Sequence, residues 1–403
     1  MLHEGSQLEV KLVKKGGSSS KPHEKPRYRI SFVAFTALTK GAGAEHFILN
    51  LVKRLPNDFE ASIIQTDLGD NPHLPASYVE EVLGAHNTRL FTIRRDPLPG
   101  WQSGFLFVLK NSVGPFLQRI INLPVLREIH SDIFYLTRND DALWLPGNAL
   151  IIGSTIAQFL STRRYVGRLF LVLKYRHIRA FHFTSLRLMS ASGIRKEDDF
   201  VLPLGVDTNM FHPSYENHGP TVRFLFVGRL EPSKGIDLLL EAWKIVREEK
   251  PDAELHIAGA GNLANRVRMD TSVIYHESVH QGGKGKDDLG ALYRNCDIFV
   301  FPSAGETFGF VVLEALTSGL YVITSPALKG IFDTFDEKYK MLDYVERTPA
   351  DFADSMVRAY SRISSIKNRK RPASEFAREN YSWETVGDKF YSTVRRLYES
   401  RQS

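Results

Sequence analysis

The chain has one cysteine in 403 residues, Cys296. A single thiol excludes an internal disulfide framework and a Cys-ligated zinc site. Cys296 lies beside an apolar stretch and reads as a small core residue. No run of about 18 apolar residues occurs, so no membrane-crossing helix is expected. The first residues carry Glu and Lys without an apolar segment, so no signal peptide is expected either. Those two absences point to a cytoplasmic protein. Excess charge is also scarce: 52 Lys and Arg against 46 Asp and Glu leave +6, with a pI near 9.1. That balance suits an anionic ligand or an anionic membrane surface, and it is too modest to imply nucleic acid. With 43% apolar and 24% charged residues the composition is that of a globular protein, and its length calls for two domains.

What is present centres on Phe299 to Ser325. Phe299 to Pro302 reads as a buried strand that stops abruptly. The loop Ser303-Ala304-Gly305 follows, then Glu306-Thr307-Phe308-Gly309, then an apolar-periodic helix from Phe310 to Thr317. Gly319 ends the helix, and Tyr321 to Thr324 is a second strand. Glu306 and Glu314 are eight positions apart. Treated as one helical path, they fall roughly on one face and about 12 Å apart along the axis. That spacing suits two parts of one long ligand. The N–H groups of Phe308, Gly309 and Phe310 open the helix and favour an anion between the two acids. Polyol, anion, polyol is the layout of a nucleotide-sugar. Two surface acids on a solvated helix is the other reading of the same spacing.

Residues 1–26 are polar and read as a flexible tail. From Arg29 to Leu202 strands alternate with helical stretches, which gives a parallel sheet covered on both faces. This first domain takes residues 27–205. Gly41 and Gly43, after its first strand, allow close backbone approach to a ligand at a helix start. Phe105 to Leu126 and Arg163 to Arg179 mix basic residues with aromatics and leucines. They read either as a surface for the inner face of an anionic membrane or as core-facing helices with snorkelling cations.

The second domain, residues 206–385, opens with strand Arg223 to Val227. Gly228 then gives close approach, Arg229 offers a planar fork for phosphate oxygens, and Lys234 adds a point charge. Both cations are expected at a loop surface. Gly259 and Gly261 begin a G-x-G-x-x-A run ending at Ala264, with Glu277 eighteen residues after Gly259. That is a dinucleotide fingerprint, although the helix after it has little room. A Gly-rich turn near a nucleobase is the competing reading.

Taken together, the Glu306 to Glu314 stretch, Gly228-Arg229 with Lys234, Gly41 to Glu45, Gly205-Val206-Asp207 to Phe211 and Tyr381-Ser382-Trp383-Glu384 resemble the family 4 retaining glycosyltransferases, the group 1 type. The resemblance implies an α/β chain of GT-B architecture, two Rossmann-like doubly wound domains facing across a cleft. It implies that a helix over 386–403 packs back toward the first domain. It also implies transfer of a hexose from a nucleotide-diphosphate sugar to a glycan, a lipid-linked acceptor or a small molecule. In that reading Arg229 and Lys234 hold the diphosphate and Glu306 orients the hexose. Gly228, Gly259, Gly261, Thr307, Phe308, Gly309, Phe310 and Glu314 line the donor, and Gly41 with Gly43 forms a glycine loop at the cleft.

The chain departs from the family at two places. The usual Gly-Gly-x-x-Glu is replaced near Ala327 to Thr334. A family histidine at the end of a first-domain strand is replaced by Ser154-Thr155. His182, on strand Ala180 to Phe183, is either its substitute or a satisfied core histidine. No Asp-x-Asp pair occurs, so no metal and no cofactor beyond the co-substrate are expected. Two alternatives stay open: an NAD(P)-dependent oxidoreductase built on Gly259 to Ala264, and a catalytically inactive homologue that binds glycan or nucleotide-sugar.

Overall fold

The computed structural model describes residues 10–12, 27–34, 38, 43–66, 76–93, 127–139, 142, 145–146, 148–155, 175–215, 219–277 and 286–402. They form two compact units. The first takes Met1–Thr184, Leu188–Leu202 and Gly387–Ser403; the second takes Ser185–Arg187 and Pro203–Val386. Each is a Rossmann-like α/β unit.

In the first unit the strands are β1 Val10–Leu12, β2 Tyr28–Val33, β3 Phe59–Thr66, β4 Arg89–Ile93, β5 Ile133–Leu136, β6 Leu150–Ser154, β7 Ala180–Phe183 and β8 Phe200–Val201. Their order is β1-β4-β3-β2-β5-β6-β7-β8. All neighbours are parallel except β1, which pairs antiparallel with β4 as Val10↔Phe91 and Leu12↔Arg89. This corrects the reading of residues 1–26 as tail throughout: three of them form an edge strand. A V-K-L triplet is too short to show a period against its polar flanks, and only its pairing reveals it.

Every residue of β5, β6 and β7 is buried. That is the signature of parallel strands covered on both faces, and it explains why they are continuous apolar runs instead of alternating ones. Residues from Gly387 onward, on helix Trp383–Gln402, complete this core. Phe390 packs against Phe32, Phe47 and Tyr135. Tyr391 Oη donates to Leu51 O at 2.8 Å, and Arg395 grips Asp58 with two bonds of 2.8 and 2.7 Å.

The second unit holds β9 Arg223–Val227, β10 Glu254–Ala258, β11 Ile274–His276, β12 Ile298–Phe301, β13 Tyr321–Thr324 and β14 Leu342–Tyr344. All pairs are parallel, in the order β11-β10-β9-β12-β13-β14. Strands run outward from β9 on one side and restart at β12 on the other. The order therefore reverses between β9 and β12. Such a reversal leaves a crevice outside the carboxyl ends of the two strands, where ligands of open α/β sheets bind. Helix Ile236–Glu249 shows why the covering helices form. Ile236, Leu239, Leu240, Trp243 and Val246 are buried at helical spacing, and Asp237 stands in the first turn.

Candidate functional site

Three loops leave the carboxyl ends of β9, β10 and β12. The first two are bound to each other through backbone. Gly228 N donates to Ala258 O at 3.1 Å, Leu230 N to Ala260 O at 2.8 Å, and Leu263 N to Leu230 O at 2.9 Å. A Cβ on Gly259, where φ is 144°, would lie 1.9 Å from Gly228 O, and one on Gly261 would lie 2.5 Å from Leu230 O. Loop-to-loop contact thus requires both glycines. This accounts for the G-x-G spacing without a dinucleotide. Glu277, the acid of that fingerprint, is mostly exposed and paired with Arg268.

Lys234 ends the short 3₁₀ turn Pro232–Lys234. Its Nζ donates to Glu306 Oε1 at 2.5 Å, and the two side chains are only 15% and 14% exposed. Glu306 Oε1 also accepts from Ser303 Oγ at 3.0 Å. Among the described residues nothing bonds Oε2. Lys234 Nζ lies 5.9 Å from the centroid of the Phe301 ring, a cation–π contact that adds to its hold. Lys234 was expected at a loop surface; it is tucked against β12 in an ion pair.

Arg229 fits the surface expectation. Its side chain is 67% exposed and its Nη1 meets Glu231 Oε1 at 2.6 Å. Exposed pairs of this kind contribute about 0–1 kcal/mol, so the guanidinium is easily drawn to another anion.

The third loop is held along its length. Pro302 O accepts from Arg347 Nε at 2.9 Å, Ser303 O from Ser325 Oγ at 2.5 Å, and Ala304 N donates to Ser233 O at 2.8 Å. Ser325 and Arg347 carried no signal in the sequence, because their role depends on partners 22 and 45 residues away. The helix itself begins at Phe310, after Gly309 as N-cap with φ 85°. A Cβ on Gly309 would sit 2.7 Å from Leu328 Cδ2.

Glu306 is therefore outside the helix. This is where the sequence places it, just before the helix, with Glu314 inside; helical spacing applies only from Phe310 to Glu314. Phe308 is buried, with its ring against Phe310 and Phe332. Its contribution to any ligand is backbone. Thr307 is half-buried.

Glu314 is buried as well, at 3% exposure, and Oε2 accepts from Tyr293 Oη at 3.0 Å. Burial, with the Glu314 charge beside it, holds the Tyr293 phenol well above its ordinary value, so it stays a donor. Glu314 is thus not a solvated surface acid. Tyr293 lies 21 residues earlier and was not legible as its partner.

In the first unit Gly43 opens helix Gly43–Val52, and Gly41 lies outside the described residues. So do Phe105 to Leu126 and most of Arg163 to Arg179. Ser154 ends β6, where Asn139 bonds both its N and its O at 2.9 Å. His182 is a satisfied core histidine. Nδ1 accepts from Tyr135 Oη at 2.6 Å and Nε2 donates to Leu202 O at 2.6 Å. Burial pushes its pKa down to about 4, so it is neutral at pH 7. Among the described residues no cluster of three His, Cys, Asp or Glu is placed to hold a metal, and no helix is long and apolar enough to cross a membrane.

Comparison with known proteins adds to this geometry. The family model described as glycosyl transferases group 1 matches residues 221–362. The phosphatidyl-myo-inositol mannosyltransferase of Mycobacterium tuberculosis is 30% identical over 50% of this chain and 54% of its own length. The D-inositol 3-phosphate glycosyltransferase of Paenarthrobacter aurescens is 25% identical over 46% of this chain and 48% of its own. The chain thus spans about half the length of these curated relatives. Among solved structures, Anabaena HepE in complex with UDP and glucose superposes with a TM-score of 0.66 at 15% identity, covering 91% of this chain and 99% of that one. A glycosyltransferase from Rickettsia africae superposes with 0.67 at 16% identity, covering 93% and 99%. These two solved structures share the fold of this chain, the GT-B class expected from the sequence.

Proposed function

We propose, from the premise that residues 221–362 are a group 1 glycosyl transferase segment in a chain of GT-B fold, that this protein is a retaining, metal-independent glycosyltransferase. It moves a hexose from a nucleotide-diphosphate sugar to a glycan or lipid-linked acceptor. The observation that carries the reading is the meeting of three loops at the switch point of the second sheet, with Lys234 and Glu306 joined between two of them.

In this reading the diphosphate lies where Arg229 and Lys234 are offered. An ammonium has three N–H donors, and Glu306 takes one, so Lys234 can bond phosphate without leaving its partner. Negative charge growing on the leaving diphosphate is met by these two cations and by the helix start at Gly309 and Phe310. Glu306 Oε2 holds a hexose hydroxyl and orients the anomeric carbon for front-face attack by the acceptor. Glu314 serves the ribose end. Gly228, Gly259 and Gly261 keep the backbone low where the nucleotide lies. HepE was solved with UDP, so uridine donors lead the trial.

The test is calorimetry with UDP-, GDP- and ADP-sugars beside NAD and NADP, followed by turnover on an acceptor with the product anomer read by NMR. Saturable binding of one nucleotide-sugar and a product of the donor's own anomeric configuration are expected. Binding of NAD alone returns the oxidoreductase reading, an inverted product removes retention, and binding without turnover leaves a silent homologue.

A further inference from the structure

The second unit has a cavity of about 660 Å³ at the edge of its sheet opposite the three loops. It is lined by Tyr321 and Leu342, the first residues of β13 and β14, and by helices Pro349–Ser361 and Ile363–Tyr381. Ligand sites fall in the range of about 300–1,000 Å³, so this volume fits a small metabolite.

Its lining is charged and unevenly matched. Lys340, Arg358, Arg362 and Arg369 contribute four cations against the two carboxylates of Asp336 and Asp343. Asp343 is already engaged, accepting from Ser355 Oγ at 2.6 Å and standing 3.6 Å from Arg358. The Arg369 guanidinium is held in place, donating to Lys340 O at 3.3 Å and Ser365 Oγ at 3.0 Å. The side chains of Arg362 and Lys340 have no hydrogen bond or ion pair among the described residues. Burial, with Asp343 and Asp336 beside it, pushes the Tyr321 phenol up to about 12, so it stays a hydroxyl donor at neutral pH.

We infer that this cavity is a second ligand site, for a small phosphorylated sugar or polyol. Arg362, Arg369 and Lys340 take the phosphoryl group, since guanidinium forks match phosphate oxygens in pairs. Asp336 and Tyr321 take hydroxyls, as does the Asp343 oxygen that Ser355 and Arg358 do not use. The carboxylates disfavour a bare polyanion but accept hydrogen bonds from a polyol, and the volume is far larger than phosphate needs. The site lies at the opposite strand ends from the nucleotide loops and does not rest on their assignment.

The experiment is calorimetry on the full chain with glucose 6-phosphate, fructose 6-phosphate and inositol 1-phosphate, and with inorganic phosphate and glucose as parallel arms. Saturable binding of at least one phosphorylated polyol is expected, weakened about tenfold or more in Arg362→Ala/Arg369→Ala. Arg362→Lys/Arg369→Lys should recover part of it, and Lys234→Ala should leave it unchanged. Thermal unfolding of each variant confirms that the fold is kept. No saturable binding by any of the three at millimolar concentration overturns the site. So does inorganic phosphate binding as tightly as the phosphorylated polyols, or a loss in Lys234→Ala matching that of the arginine pair.

Discussion

Lys234 and Arg229 carry the same charge at the end of one strand, yet the fold holds them differently. Removing Lys234 leaves Glu306 half-enclosed with no cation. Breaking a fully buried pair costs about 3–5 kcal/mol, and the exposure of this one lowers the expectation to about 2 kcal/mol for Lys234→Ala. Arg229→Ala should change stability by less than about 0.5 kcal/mol, because its pair is exposed. Urea unfolding reads both, and equal losses would contradict the difference in burial. For a nucleotide-sugar ligand both variants should weaken donor binding. The two glutamates separate in another way. Glu306→Gln should leave nucleoside-diphosphate affinity nearly intact and lower kcat. Glu314→Ala should weaken nucleotide and donor alike, by about 1–3 kcal/mol, and also leave the Tyr293 hydroxyl with only its longer bond to Val311 O at 3.4 Å. Tyr293→Phe removes that hydroxyl alone, so comparing the two variants by calorimetry and unfolding divides the ligand effect from the packing effect. His182 supplies a pH dependence. Its folded pKa, about 4, lies below the ordinary 6.5, so between those values the unfolded chain binds the extra proton. Stability should therefore fall as pH drops below 6.5 and level off near 4, by about 3 kcal/mol at about 1.4 kcal/mol per unit. A His182→Gln variant should show a flatter stability–pH curve over that window; an unchanged slope would mean the ring is not held neutral.

At the scale of elements, the sharpest prediction concerns how near two loops lie. A methyl group on Gly259 has no room beside Gly228 O, whereas one on Gly305 meets nothing within 4 Å. Gly259→Ala should cost at least about 1–3 kcal/mol and weaken nucleotide binding, because the β9 and β10 loops must part. Gly305→Ala should be neutral within about 0.5 kcal/mol. Thermal unfolding of the pair checks the contrast, and equal midpoints would refute the close approach. The elements legible in the sequence share one physical property. Strands Ala180–Phe183, Arg223–Val227 and Tyr321–Thr324, and helix Phe310–Thr317, keep their expected bounds. Each is a short apolar-rich run stopped by a turn residue or a charge. Ser382 Oγ accepts from Thr385 N at 3.2 Å and so caps helix Trp383–Gln402. What stayed hidden was either too short, as β1, or too polar. Helix Ile363–Tyr381 has Pro372 inside it and a Lys- and Arg-rich first half, so it shows little apolar period. The candidate site was legible as residue types in order along the chain. Which carboxylate meets Lys234, which hydroxyl lies on Glu314 and which glycine faces backbone are long-range pairings that no local pattern encodes.

At the scale of the whole molecule, the order of the chain and the order of its two units differ. Residues 203–386 are an insertion within the first unit, which starts near the beginning of the sequence and takes up Gly387–Ser403 to finish its core. Those residues bring Phe390 to the Phe32, Phe47 and Tyr135 rings and Arg395 to Asp58. Deleting 387–402 should therefore unfold the first unit while the second stays protected, with hydrogen exchange followed by mass spectrometry as the measure. Equal protection of both units in the truncated chain would show that the helix is dispensable. There is a consequence for biosynthesis. On a translating ribosome the second unit has all its residues before the first does, although the first begins to emerge earlier. At about 5–20 residues per second, the 201 residues from 203 to 403 take about 10–40 s. For that interval the aromatic patch awaiting Phe390 stands open on the nascent chain, and it is there that a chaperone has the most to shield.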